Sequence, residues 1–339
     1  MNNIKCGLNN RGNTCFLNTC IQLLVNVDEL STYFLKNEYI PDLNNNFKLK
    51  KLKKTKDIDI TFYYAELVKN MENNIKVFDP KNFHIAVQKS NPNFSGFGQQ
   101  DSQEIMMLIL DLMNDSLNYD IDINYKGTIE NKHDELMVES IKAWSTILKG
   151  KYSIITDLFY GLFINNIYNN KNHKSLSKTF ECFNMLTLSM VDNNLYSMLD
   201  NFFKKENLDE EYIDDKTNKK YNASRQIKII NAPKYLTIIF KKYNTIERKN
   251  NEEIIFPFHD LNLSKYCEGY DSFGCLYNLI GIGCHVGNLN YGHYFSIIKK
   301  NDNIWYNFND SNISIFDIEK NKKILYQSSY ILMYKKTTN

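Results

Sequence analysis

Residues 7–22 read Gly-Leu-Asn-Asn-Arg-Gly-Asn-Thr-Cys-Phe-Leu-Asn-Thr-Cys-Ile-Gln. No other stretch constrains the chain as strongly. Gly7 and Gly12 mark a bent approach, because glycine tolerates backbone angles other residues avoid. Asn13 or Thr14 can cap a helix that then runs through Phe16, Leu17, Ile21, Leu24 and Val25. Cys15 then falls in the first turn. The exposed N–H groups and the macrodipole of a helix start favour negative charge there, which suits a nucleophilic sulfur. Asn10 lies upstream on the bent approach. Its amide can donate beside the Cys15 N–H to an oxygen gaining negative charge. A small buried cysteine is the commoner use of a lone thiol. The approach loop, the cap and the amide donor together favour a nucleophile.

Bulk properties set limits. With 339 residues the chain can bury a large core, as one big domain or two. A formal net charge of +2 supplies no global field toward nucleic acid or membrane. No apolar run approaches membrane-spanning length, and Met-Asn-Asn-Ile-Lys-Cys is too polar for a signal peptide. The seven cysteines show no dense spacing pattern, which fits free thiols in a reducing, intracellular compartment. The basic run Lys48–Lys56 has no interleaved aromatics and reads as a solvated loop, not a nucleic-acid contact.

Along the chain, helices come first. After the first helix, Asp28–Tyr39 reads as a helix-loop continuation, which Pro41 and Asn44–Asn46 break. Phe62–Met71 and Pro80–Lys89 follow, the second with Asp79 as cap. Asp101 and Glu104 have capping-box spacing ahead of an apolar helix from Ile105. Glu135–Leu148 is a further helix. Strands begin after Thr156: Leu158–Ile164, Phe180–Met190, Gln226–Ile230 and Tyr235–Phe240, then Tyr277–Ile282, His293–Lys299, Asn303–Phe308 and Ser329–Tyr334. The order implies an α+β fold.

A cysteine nucleophile needs a base. Of six histidines, His293 has the most informative setting, Asn290-Tyr291-Gly292-His293-Tyr294 at a strand start. A hairpin through residues 300–303 brings Asn309 and Asp310 back beside it. Either can accept the imidazole N–H and fix the tautomer, and the choice stays open. His285 precedes Val286-Gly287 at the end of the preceding strand and reads as a structural or rim contact.

These pieces together resemble the ubiquitin-specific protease family of cysteine deubiquitinases. Residues 7–22 match its Cys box, and residues 97–104 its Gln-Asp box. Residues 277–310, with His285-Val286-Gly287 and Tyr291-Gly292-His293-Tyr294, match its His box. The resemblance implies a papain-like fold with thumb (about 1–149), fingers (about 162–230) and palm (mainly 231–339) in one catalytic domain. It implies Cys15 as nucleophile, His293 as base, Asn309 as third catalytic residue with Asp310 supporting, and Asn10 as oxyanion donor. Asp101 and Glu104 match acids that meet the basic tail of ubiquitin, and His285, Tyr291 and Gly292 line the substrate side. Many members hold zinc at the fingertips with two Cys-x-x-Cys pairs. Here those positions carry Asn170 and His173, then Asp214 and Thr217, a poor set for zinc, so no cofactor is expected.

The expected activity is hydrolysis at the C-terminal glycine of ubiquitin by a monomer. The alternatives are a binding-only relative and an isopeptidase for another ubiquitin-like modifier.

Overall fold

The computed structural model describes residues 4–45, 55–73, 75–96, 98–215, 217–242, 252–288 and 291–337. The basic run Lys48–Lys56 lies outside these but for its last two positions, as do Phe97 and Asn290 of the motif regions. The chain opens with strand β1 (Gly7–Leu8) and helices α1 (Cys15–Val25), α2 (Asp28–Leu35), α3 (Tyr39–Asn45) and α4 (Thr55–Glu72). Strand β2 (Val77–Phe78) pairs in parallel with β1. Helices α5 (Lys81–Ser90), α6 (Ser102–Leu117), α7 (Lys132–Ile147) and α8 (Ile154–Phe159) complete the helical part.

Strands then dominate. They are β3 (Gly161–Asn169), β4 (Ser175–Phe183) and β5 (Met185–Ser189), followed by helix α9 (Leu195–Phe202). Next come β6 (Glu206–Asn207), β7 (Tyr212–Ile213), β8 (Lys220–Tyr221), β9 (Ala223–Asn231), β10 (Tyr235–Lys241) and β11 (Leu261–Asn262). The last elements are β12 (Leu276–Gly287), β13 (Gly292–Lys299), β14 (Trp305–Asn309), β15 (Asn312–Ile315), helix α10 (Ile318–Ser328) and β16 (Ser329–Lys336).

The larger sheet runs β15-β14-β13-β12-β16-β10-β5, with β11 also paired to β12. A second sheet runs β4-β3-β9-β6, and β7 pairs with β8 as a small ribbon. Alternation along β10 explains why the larger sheet is covered on both faces. Tyr235 and Ile239 join the core under the helices, whereas Leu236, Ile238 and Phe240 join a second core against α9 and α10. Every residue of α1 is buried. It is seated on the sheet by absent side chains: a Cβ on Gly281 would lie 2.7 Å from Leu23 Cδ2, and one on Gly283 would lie 3.4 Å from Leu23 Cδ1. That close approach brings the start of α1 to the end of the sheet where β13 begins.

Four elements depart from the sequence expectation. Pro41 does not end a helix but sits in the first turn of α3, where its missing N–H would have no intrahelical partner. Leu158 and Phe159 are helical, because Ser153 and Thr156 form a capping box that starts α8. Phe180–Met190 divides into β4 and β5, which belong to different sheets. Pro80, and not Asp79, occupies the cap of α5, while the Asp79 carboxylate pairs with Arg11 at 2.7 Å.

Candidate active site

The loop before α1 turns through left-handed backbone at Gly12 (φ 93) and Asn13 (φ 56). Asn10 Oδ1 closes it, accepting from Gly12 N at 3.0 Å and Thr14 N at 3.1 Å. Thr14 occupies the cap position without a side-chain capping bond, so Cys15 is the first helical residue. Its own N–H belongs to the unpaired first turn of the helix.

His293 lies at the start of β13, a strand packed against α1, and its ring is coupled to the Cys15 side chain. On its other side, Nε2 lies 2.7 Å from Asn309 Oδ1. An amide oxygen only accepts, so Nε2 carries the proton and Nδ1 is left for the sulfur. The bond with Cys15 is the largest influence on the ring and raises its pKa to about 9. Burial opposes it, and Asn309 and the Asp310 charge add to it. The ring is therefore an imidazolium near neutrality.

The register explains why Asn309, and not Asp310, meets the ring. Ser296 faces Phe308 across β13 and β14. Continuing that register puts Asn309 one diagonal step from His293 on the same face, and Asp310 on the opposite face. Asp310 then turns away at φ 49. Its Oδ2 accepts from Asn10 Nδ2 at 2.9 Å and its Oδ1 from Asn18 Nδ2 at 2.8 Å. Asn18 also reaches Asn9 O at 3.4 Å. Asn18 escaped the sequence reading. Its one signal was a polar residue three positions after Cys15, on the same side of a mostly apolar helix.

The two acids differ. Asp101 caps α6, accepting from Gln103 N at 2.6 Å, and its second oxygen accepts from Tyr330 Oη at 2.6 Å. Glu104 is exposed in the first turn. Cys20 Sγ donates to Ser102 O at 3.0 Å, which ties the start of α6 to the flank of α1. Tyr291 is 83% exposed, directly before β13. His285 is not on an open rim: it is 3% exposed and packs on Tyr294 with ring centroids 4.3 Å apart. Gly292 makes this possible, because a Cβ there would lie 2.1 Å from His285 Nε2.

The fingertip positions do not suit zinc. Asn170 donates to Asn207 Oδ1 at 3.3 Å and accepts from Ser224 Oγ. Asp214 Oδ1 accepts from Thr217 N at 2.8 Å. Of the four residues, only His173 and Asp214 carry donors that zinc favours. Among the described residues no group of three or more His, Cys, Asp or Glu could hold a metal. No described helix is long and apolar enough to cross a membrane. An apolar cavity of 320 Å³ between α7 and the base of β3 touches none of the residues around Cys15.

The chain as a whole resembles known proteins. Residues 6–334 match the family model described as Ubiquitin carboxyl-terminal hydrolase. Ubiquitin carboxyl-terminal hydrolase 4 of Saccharomyces cerevisiae is 26% identical over 367 residues, covering 97% of this chain and 39% of that protein. Ubiquitin carboxyl-terminal hydrolase Usp2 of Drosophila melanogaster is 29% identical over 345 residues, covering 98% of this chain and 35% of that protein. The chain thus spans well under half the length of these relatives. The fold matches the SAGA DUB module of Ubp8, Sgf11, Sus1 and Sgf73 bound to monoubiquitin, with a TM-score of 0.74 at 22% identity over 100% of this chain and 71% of that one. A second structure of that module, bound to ubiquitin aldehyde, gives a TM-score of 0.73 at 23% identity over 100% of this chain and 71% of that one. With the family model spanning nearly its whole length, this chain belongs to the ubiquitin carboxyl-terminal hydrolase family.

Proposed function

We propose that the chain is a cysteine isopeptidase that cleaves the bond after the C-terminal glycine of ubiquitin. The His293 ring, held by Asn309 and coupled to the Cys15 side chain at the start of α1, carries this reading. The sulfur attacks the glycine carbonyl carbon. The oxygen that becomes negative takes hydrogen bonds from the Cys15 N–H and from Asn10 Nδ2, which spends only one of its two N–H bonds on Asp310. His293 then gives its Nδ1 proton to the leaving lysine amine, and the C–N bond breaks to leave a thioester. Water attacks the thioester, His293 takes its proton, and the carboxylate leaves with the thiolate restored. The basic ubiquitin tail meets Glu104 and Asp101 at the start of α6, where the helix dipole opposes cations but the carboxylates outweigh it at contact distance.

All the residues in these steps come from one chain, which supports a monomer. The free cysteines suit a cytoplasmic or nuclear setting. The thumb, fingers and palm divide near residues 149, 162 and 231, and the fingers hold without zinc through strand pairing and turn hydrogen bonds. Elemental analysis of the purified protein should find well below one zinc per chain. A stoichiometric zinc would contradict this.

A fluorogenic amide on the ubiquitin C-terminus tests the activity. Wild type should turn it over, Cys15→Ala should not, and Asn10→Ala should lose about 10²–10³-fold in kcat. Equal rates for wild type and Cys15→Ala would remove the proposal. The alkaline limb of kcat/KM reports His293. The ring donates its proton only while charged, so activity should fall as pH rises through about 9. Asn309→Ala deletes an interaction that raises this pKa, so its limb should move to lower pH. A limb unmoved by that change would separate Asn309 from the ring.

A further inference from the structure

Two flanks of α1 carry different chemistry. Asn18 and Cys20 lie about 200° apart around the helix, at about 100° per residue. Cys20 faces the start of α6, with Asp101, Glu104 and Tyr330. Asn18 faces β1 and the β14–β15 turn. On that second flank lies an open pocket of 570 Å³, lined by Asn9, Asn10, Arg11, Asp79 and residues 309–312. It begins at the catalytic residues themselves, since Asn10 and Asn309 form part of its wall.

If the basic ubiquitin tail enters along the acids of α6, the other product must leave past the opposite flank. The pocket is there, and its chemistry is unlike that of an apolar side-chain site. Asn9, Ser311 and Asn312 line it, are exposed, and carry amides and a hydroxyl, groups that both donate and accept. Asp310 is spent on Asn10 and Asn18, and Arg11 is neutralised by Asp79 at 2.7 Å. Neutral groups of both senses match a peptide main chain, whose N–H and C=O alternate.

We propose that this pocket is the leaving-group subsite, which takes the extended main chain flanking the modified lysine through Asn9 and Asn312. Specificity there reads backbone, so it tolerates many target sequences. Neither side chain touches the reacting atoms, and both act on how the lysine amine is held while His293 protonates it. The inference rests on the ubiquitin-isopeptidase reading and can fail separately from it.

The test compares two substrates that share ubiquitin and differ in what leaves. One carries a small fluorogenic amine, and the other a peptide joined through its lysine side chain. The ratio of kcat/KM, peptide over small amine, should fall about three- to ten-fold in Asn312→Ala and in Asn9→Ala, the loss of roughly one net hydrogen bond each. The double variant should fall further. Blocking both backbone amides next to the lysine by N-methylation should lower the same ratio in wild type and have little effect in the double variant. An unchanged ratio in both single variants and the double variant, with wild type active on both substrates, overturns the subsite alone. Wild type inactive on both substrates overturns the isopeptidase reading and the subsite with it.

Discussion

The chemistry of this fold depends on one pairing, the Cys15 side chain with the ring of His293, residues that lie 278 positions apart in the chain. Local structure can place either group but cannot bring them together. The meeting depends on where α1 sits on the larger sheet, and that is set by apolar packing. Leu23 drops into the space left by Gly281 and Gly283, so the helix lies closer to β12 than larger residues would allow. With that depth set, the first residue of α1 meets the first turn of β13.

Polar groups then refine what packing delivers. Asp310 sits at the junction of three segments. It receives Asn10 from the loop before α1 and Asn18 from α1 itself, and its main-chain oxygen accepts from Leu8 N at 2.8 Å. The carboxylate is thus a fastener between the cysteine segment and the histidine hairpin. Asn309, its neighbour, works on the other face and holds the ring. Adjacent residues of a strand end serve separate tasks because successive side chains point to opposite faces.

Much of this was legible in the sequence. The bent approach, the first-turn cysteine and the histidine hairpin all depend on local chemistry, and the structure brings those residues together. The choice between Asn309 and Asp310 was not legible, because it depends on register and on the left-handed turn at Asp310. Asn18 was hidden for a related reason: only a tertiary partner distinguishes a buried fastener from a polar residue on a solvated face. His285 read as either a structural or a rim contact from its place beside Val286 and Gly287, and its burial, which Gly292 across the ladder permits, favours the structural one. In the strand-rich half, Leu158 and Phe159 read as strand because an apolar run carries no period of its own, and the short cap at Ser153 decided the matter.

Cys15 is one of seven cysteines, and their environments differ. Burial pushes the thiols of Cys6 and Cys182 up to about 11 and that of Cys20 well above its ordinary value. Those thiols stay protonated and slow to react near neutrality. The direct measurement is therefore a ubiquitin whose C-terminus carries an electrophile, reacted with the native protein and mapped by peptide mass spectrometry. One adduct per chain, on Cys15, is the predicted result. An unmodified Cys15, or an adduct spread over the other cysteines, would contradict the account.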